Sequence, residues 1–225
     1  VVTQAIQDYL KVIYKVEETR EEVTTNAIAE RLQVTQPSVT GMVKKLSEMN
    51  LISYTPYQGV RLTEAGRKIA LEVIRHHRLL ELYLAKAMGY SWDRVHEEAE
   101  KLEHVISEEF EEKMAEMLGQ PTSDPHGAPI PAKDGSMVVS KLLKLTAIPA
   151  GQKVVVKQVS DKDPEKLRYL SRIGIYPEVE MTVIEQVPFD GPLLVKVGEE
   201  RHYLSRALTD GIFVVEIVET KNGQS

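Results

Sequence analysis

The chain has 225 residues, 42% of them hydrophobic and 28% charged, with a net charge of −6 and no cysteine. That size accommodates two or three small domains, while the composition excludes a disulfide framework, a zinc–thiolate cluster and any apolar run near the ~20 residues of a membrane helix. The acid is concentrated in residues 71–120, which carry 6 basic and 12 acidic side chains against 9 and 8 in residues 1–70; the first segment is therefore free to meet an anionic partner.

Residues 3–18 place Ile6, Leu10, Ile13 and Val16 at helical spacing. Thr24 and Thr25 precede a short helix over 26–32. Thr35 can cap a third helix, which tolerates Pro37 in its first turn and runs to about residue 49. "LISYTPYQGVRLT" then gives two short β-prone runs about a turn at 56–59. A long helix is expected from after Thr63 to about residue 88, before Gly89. A second is expected over 92–118, ending at Gly119, with Val95, Ala99, Leu102, Ile106, Phe110, Met114 and Met117 as an apolar stripe suited to a core or a dimer seam. "GQPTSDPHGAPIPAKDG" (119–135) reads as a loop, and 138–145 as a short helix. From about 151 the runs "KVVVKQV", "EMTVIEQV", "PLLVKVG", "HYLS" and "IFVVEIV", with one helix around 164–173, predict a small all-β barrel.

"NAIAERLQVTQPSVTGMVKKLSEMNLI" has the layout of a helix-turn-helix: a short helix, a tight turn, and a helix that starts with small polar residues. Gln36, Ser38 and Thr40 can reach base edges, Lys44 and Lys45 the phosphates, while Val39, Val43 and Leu46 face inward. The candidate DNA contacts are Thr25, Asn26, Thr35, Gln36, Pro37, Ser38, Thr40, Lys44 and Lys45, with Tyr57 and Arg61 on the hairpin as a wing. The bland alternative is a structural three-helix domain with incidental lysines.

"RVHEEAEKLEHVISEE" (94–109) poses the metal question. With His96 at zero on a helix, Glu100 falls at ~40°, Glu103 at ~340° and His104 at ~80°, all on one face. Glu97 and Glu98 lie off that arc and read as solvated. His77 and Glu81 stack one turn apart on the preceding helix. Carboxylates packed together without a cation repel, and a divalent ion removes the repulsion; two exposed acidic helices are the alternative.

The order helix-turn-helix, wing, "RHHRLLELYL", "VHEEAEKLEHVISEE", "DPHGAPIP" resembles the diphtheria toxin repressor family of metal-dependent transcriptional repressors, and "LSRIGIYPEVEMTVIEQVPFDGPLLVKVGEERHYLSRALTDGIFVV" is similar to its FeoA-type, SH3-like barrel. The resemblance implies a multi-domain α+β fold: a winged helix-turn-helix over 1–70, a helical metal-binding and dimerisation domain over 71–135, a linker over 136–148 and the SH3-like domain over 149–220. It implies a homodimer that binds palindromic operators in double-stranded DNA when a divalent metal is bound, and control of metal-uptake genes. By position, the primary effector site falls on Asp8, Glu100, Glu103 and His104. A second site falls on His77, Glu81 and His96, joined by Asp124 and His126, with Asp161 of the barrel as a further candidate. His76 and His202 read as non-ligands. Iron-responsive members have a methionine and a cysteine where Asp8 and Glu100 stand. Oxygen in place of sulfur resembles the manganese-responsive branch and favours Mn(II), with Fe(II), Co(II) and Zn(II) as alternatives. Lys11 stands where short manganese-responsive members have a glutamate ligand.

Asp8→Ala or Glu103→Ala is expected to weaken metal-dependent DNA binding while sparing the fold. The rival classes are a metal-dependent hydrolase, for which the chain has no HExxH motif and no P-loop, and a metal-storage or transport accessory protein. "VVTQAIQDYLKVIY" lacks a basic-then-apolar signal pattern, so the expected compartment is the cytoplasm, with no membrane partner.

Overall fold

The computed structural model describes residues 2–19, 22–55, 59–138 and 140–217. In chain order the elements are α1 (Gln4–Glu18), α2 (Thr25–Leu32), α3 (Gln36–Glu48), β1 (Ile52–Thr55), β2 (Gly59–Leu62), α4 (Glu64–Met88), α5 (Val95–Leu102), α6 (Glu108–Met117), β3 (Leu143–Lys144), a 3-10 turn (Leu145–Ala147), β4 (Lys153–Val159), α7 (Pro164–Arg172), β5 (Glu180–Gln186), β6 (Leu193–Val197), β7 (Glu200–Leu204), α8 (Arg206–Thr209) and β8 (Ile212–Glu216). None of these helices is long and apolar enough to cross a membrane. The chain forms two compact units: Val1–Leu80 with Ala99–Gly119 and Ile130–Met137, and Glu81–Glu98 with Gln120–Pro129 and Val138–Ser225.

The first unit is built on the winged helix-turn-helix. Ile6, Leu10 and Ile13 of α1, Ile28 of α2, Val39 and Leu46 of α3, Ile52, Val60 and Ile74 bury together. That burial is what holds three short amphipathic helices, each marginal alone, in one arrangement. Thr24 caps α2, its side chain accepting from Ala27 N at 3.1 Å, and Gln33 closes the helix in the left-handed region. β1 and β2 pair antiparallel with Ile52 opposite Leu62, which leaves Arg61 exposed on the wing. Tyr57 lies outside the described residues.

The single helix expected over 92–118 is instead two. α5 ends at Leu102, residues 103–105 turn, and α6 restarts at Glu108. Ser107 explains the restart: its hydroxyl accepts from Phe110 N at 3.2 Å, and Glu108, Glu109 and Glu111 fill the first turn, where carboxylates complement the helix dipole. The apolar stripe is broken accordingly, with Val95, Ala99 and Met114 buried but Phe110 and Met117 exposed. Ser107→Ala is expected to cost about 1 kcal/mol, a typical N-cap loss, read as a drop in urea midpoint at unchanged slope; an unchanged midpoint would remove the capping role.

In the second unit six antiparallel strands are ordered β3-β8-β4-β5-β6-β7, with register shifts at Val156/Gln158 and Val183/Glu185. Such bulges bend and twist a small sheet so that it curls around its core. That core holds Leu145, Val154, Val156, Leu167, Leu170, Val183, Val195, Ile212 and Val214, with Trp92 packed against it. The helix expected over 138–145 is not formed: residues 140–142 are irregular, Leu143 and Lys144 are a strand paired to Val214 and Phe213 of β8, and the 3-10 turn follows. The sheet thus begins within the stretch expected to be a linker. α8 was not anticipated.

Candidate metal centre

Asp8 and Lys11 lie on the same side of α1, three residues apart. In the first unit they meet the turn after α5. His104 Nε2 lies 2.9 Å from Asp8 Oδ1 and 3.1 Å from Glu103 Oε1, while its Nδ1 pairs with Gln7 Oε1 at 2.8 Å. Asp8, Glu103 and His104 each offer a donor atom within 4.8 Å of the others. Glu103 is fully buried and sits at the centre of the network: Lys11 Nζ donates to both its oxygens at 2.7 and 2.8 Å, and His77 Nδ1 is 2.6 Å from Oε2.

Glu100 is placed one step away from where it was expected. Its Oε1 accepts from Lys11 at 2.7 Å and lies 3.8 Å from His77 Nδ1, so it groups with His77 and Glu103 rather than with Asp8, Glu103 and His104. His76 is tied elsewhere, with Nδ1 at 3.0 Å from Glu103 O and Nε2 at 3.2 Å from Glu111 Oε2, and Glu111 also receives Arg75.

The electrostatics follow from burial and these partners. Burial disfavours the ammonium of Lys11, but Glu103 and Glu100 overcome that and raise its pKa. Burial likewise disfavours the Glu103 carboxylate, yet its hydrogen bond to His77 and the Lys11 charge bring its pKa below the usual value. Asp8 is pushed up, by burial first and by Glu103, with His104 and Lys11 opposing.

The second unit holds a separate group. Glu81, Asp124 and His126 are all buried and bring donor atoms within 4.8 Å of one another. Residues 123–129 form a tight loop: Asp124 Oδ1 accepts from His126 N and Ala128 N at 2.8 and 2.9 Å, and His126 O accepts from Val159 N of β4 at 2.8 Å. The His126 ring is held by Trp92, whose carbonyl lies 2.7 Å from Nε2 and whose indole stacks on it at 5.6 Å. His126 Nδ1 then has no hydrogen-bond partner and stands 3.7 Å from Glu81 Oε2. Burial works against the charged ring, but Glu81 and Asp124 push its pKa up to about 9. His96 Nδ1 is 3.1 Å from Glu81 Oε1 and 3.6 Å from Asp161 Oδ2. His96 is therefore apart from Glu103 and His104 in its partners, although a continuous helix would have put all three on one face.

These residues fit a divalent cation. Each group offers two carboxylates and an imidazole with no sulfur, the donor chemistry of Mn(II), Fe(II) or Zn(II). In the second group a buried ring nitrogen without a hydrogen bond faces a carboxylate. What the sequence did not reveal is Lys11 as a partner of Glu100 and Glu103, 89 and 92 residues away, or the Trp92 carbonyl behind His126. A local hint was that Lys11 falls beside Leu10 on the apolar side of α1, where it is buried.

The candidate DNA contacts gather on the outer face of α2 and α3. Asn26, Thr35, Gln36, Pro37, Ser38, Thr40, Lys44 and Lys45 are exposed and Thr25 is half-buried. Gln36 Nε2 donates to Asn26 Oδ1 at 2.5 Å, joining the two helices across the turn.

Sequence models match in three consecutive stretches: an iron-dependent repressor N-terminal DNA-binding domain over residues 2–60, an iron-dependent repressor metal-binding and dimerisation domain over 63–132, and a FeoA domain over 143–216. The iron-dependent repressor IdeR of Mycobacterium leprae (strain TN) is 32% identical over 221 residues, 93% of this chain and 96% of that protein. The chain belongs to the iron-dependent repressor family. It is a metal-dependent transcriptional repressor and not an enzyme, with a winged helix-turn-helix, a helical dimerisation domain and a FeoA-type SH3-like domain. Among solved structures, a manganese-dependent transcriptional repressor in complex with manganese matches at a TM-score of 0.89 and 37% identity, over 94% of this repressor and 99% of that chain. ScaR with bound zinc matches at 0.79 and 33%, over 94% and 99%.

Proposed function

We propose that this repressor is a manganese sensor in which Asp8, Glu103 and His104, with Glu100 close by, form the effector site that commits the protein to its operator. The observation that carries this reading is Asp8 on α1 lying 2.9 Å from His104 on the turn after α5. α1 packs through Ile6, Leu10 and Ile13 into the core that also holds Val39, Val43 and Leu46 of α3. Whatever fixes Asp8 to the 103–104 turn therefore fixes the reading helix too. Lys11 and His77 already hold Glu103 ionised, whereas burial and Glu103 push Asp8 up, so a bound divalent cation would add the positive charge that favours the ionised form of Asp8 beside it. Without that charge Asp8 is held to the turn through His104 alone, α1 is fixed less firmly despite the Lys11–Glu103 pair, and the reading helices of a dimer match successive major grooves less often.

Manganese is favoured because neither group contains sulfur, and because relatives that cover almost the whole chain include a manganese-dependent repressor. Glu81, Asp124 and His126, with His96 and Asp161, are proposed as the second, structural site, while His77 lies with Glu100 and Glu103. Thr25, Asn26, Thr35, Gln36, Pro37, Ser38, Thr40, Lys44, Lys45, Tyr57 and Arg61 are proposed to meet the operator. The exposed apolar side chains of Val105, Phe110 and Met117 support a homodimer seam. The proposed division is 1–70, 71–135, a 136–148 linker and 149–220; the targets are palindromic operators of metal-uptake genes, in the cytoplasm.

The test is fluorescence anisotropy of a labelled palindromic duplex titrated with chelated protein and then with Mn(II), Fe(II), Co(II) or Zn(II). Mn(II) is expected to tighten binding about a hundredfold when present at 100 times its dissociation constant. A larger effect of Fe(II) would make iron the effector, and equal affinity with and without metal would remove the switch.

A further inference from the structure

A glycine inside a helix costs about as much as any non-proline choice can, so its presence there calls for a physical reason. Two reasons are visible in a fold: a positive φ, or a neighbour that leaves no room for a Cβ. Eight of the described glycines have positive φ. Three more are crowded, a Cβ meeting Leu51 O at 1.9 Å from Gly66, Val187 Cβ at 2.7 Å from Gly191 and Ser160 Cβ at 3.3 Å from Gly211. Gly41 has neither excuse. It lies within α3, on helical backbone, and a Cβ there would meet nothing within 4 Å. Judged by the fold alone, alanine would serve better.

Its surroundings say what the gap faces. Pro37 and Ser38 stand one turn before Gly41 and Lys44 and Lys45 one turn after, all exposed, while Val39, Val43 and Leu46 occupy the opposite, buried side. Gly41 is thus the bare centre of the outward face, flanked by two cations suited to phosphates. At this position the N–H and C=O belong to the helix ladder, so the surface offers only C–H. In the major groove the one apolar feature that projects from a base pair is the C5-methyl of thymine.

We infer that Gly41 is where the backbone of α3 lies against the base edges, its missing side chain leaving room for a thymine methyl, so that Gly41 sets a T·A preference at one operator position. This rests on α3 being the DNA-reading helix. Two consequences have opposite signs: filling the gap should stabilise the free protein and weaken the complex.

The experiment selects a duplex from a randomised pool with the full-length, Mn(II)-loaded wild-type protein. It then compares wild type and Gly41→Ala on that duplex and on versions in which each thymine in turn is deoxyuridine, which removes only the methyl. Gly41→Ala is expected to raise Tm by about 2–4 °C and to weaken binding roughly 5- to 150-fold, the range for one mismatched base pair. One deoxyuridine substitution should restore the variant's affinity to within about threefold of wild type, with binding to an unrelated duplex unchanged between the two proteins. A variant that binds the selected duplex as well as wild type does, or a loss that no deoxyuridine relieves, overturns the inference while leaving operator binding intact. A fall in Tm overturns it also, by assigning the glycine to the fold. If the wild type selects no duplex under any metal, the DNA-reading role of α3 fails first and this inference with it.

Discussion

Glu103→Ala is expected to destabilise the metal-free protein by about 3–5 kcal/mol, the cost of removing one partner from a buried charge pair. Glu103 has no exposed surface and accepts from Lys11 through both oxygens. Alanine would leave the Lys11 ammonium, itself buried, with Glu100 alone, and would also strand His77, whose Nδ1 lies 2.6 Å from the lost carboxylate. The sequence-based expectation that this substitution spares the fold is corrected by that geometry, because Lys11 makes Glu103 a structural counter-ion as well as a candidate ligand. In urea unfolding with chelator the midpoint should drop sharply, and Tm by roughly 6–20 °C. Replacing both members, as in Lys11→Met with Glu103→Leu, should recover much of the loss, since an apolar pair removes the uncompensated charge. A Glu103→Ala protein within about 1 kcal/mol of wild type would mean that Lys11 escapes to solvent and that the pair contributes little.

How much was legible follows from the range of the interactions. α1 to α4 and the hairpin strands were readable because their apolar spacing is local, and Thr24 caps α2 as its sequence position suggests, whereas Thr35 stands at the N-cap of α3 with no side-chain hydrogen bond to the helix. The break between α5 and α6 was not read, because Leu102, Ile106 and Phe110 continue the helical spacing straight through it. Ser107 followed by Glu108 and Glu109, a cap with an acidic first turn, marks the restart locally, against an apolar periodicity that runs on through it. β3 is two residues long and exists only by pairing with β8 some seventy positions on, which no local pattern reports. The candidate ligands were named from spacing and resemblance. What spacing could not supply was their sorting, with Glu100 turned toward Lys11 and His77, and His96 toward Glu81 and Asp161. A continuous helix through residue 104 would put His96, Glu100, Glu103 and His104 on one face, and the turn at 103–105 breaks that face.

Asp8→Ala separates signalling from stability in a way Glu103→Ala does not. The Asp8 side chain is a third exposed, its ion-pair partner is His104, and alanine suits the interior of α1. The fold should therefore hold, with stability in chelator within about 0.5 kcal/mol of wild type. What is lost is the carboxylate that α1 offers to the Asp8, Glu103 and His104 group, and with it the metal-dependent part of the tie between the 103–104 turn and α1, since the Lys11–Glu103 and Gln7–His104 contacts remain. Operator affinity in saturating Mn(II) is expected to fall about a hundredfold, ~2.7 kcal/mol, to that of the metal-free wild type. Calorimetric titration should lose one equivalent of tight Mn(II) binding while the equivalent assigned to Glu81, Asp124 and His126 remains. His126→Ala should do the converse and leave most of the DNA response in place. If Asp8→Ala keeps a full Mn(II) response, the switch does not run through α1; if it loses both equivalents together, the two groups fill as one cooperative unit, and the division into an effector site and a structural site is wrong.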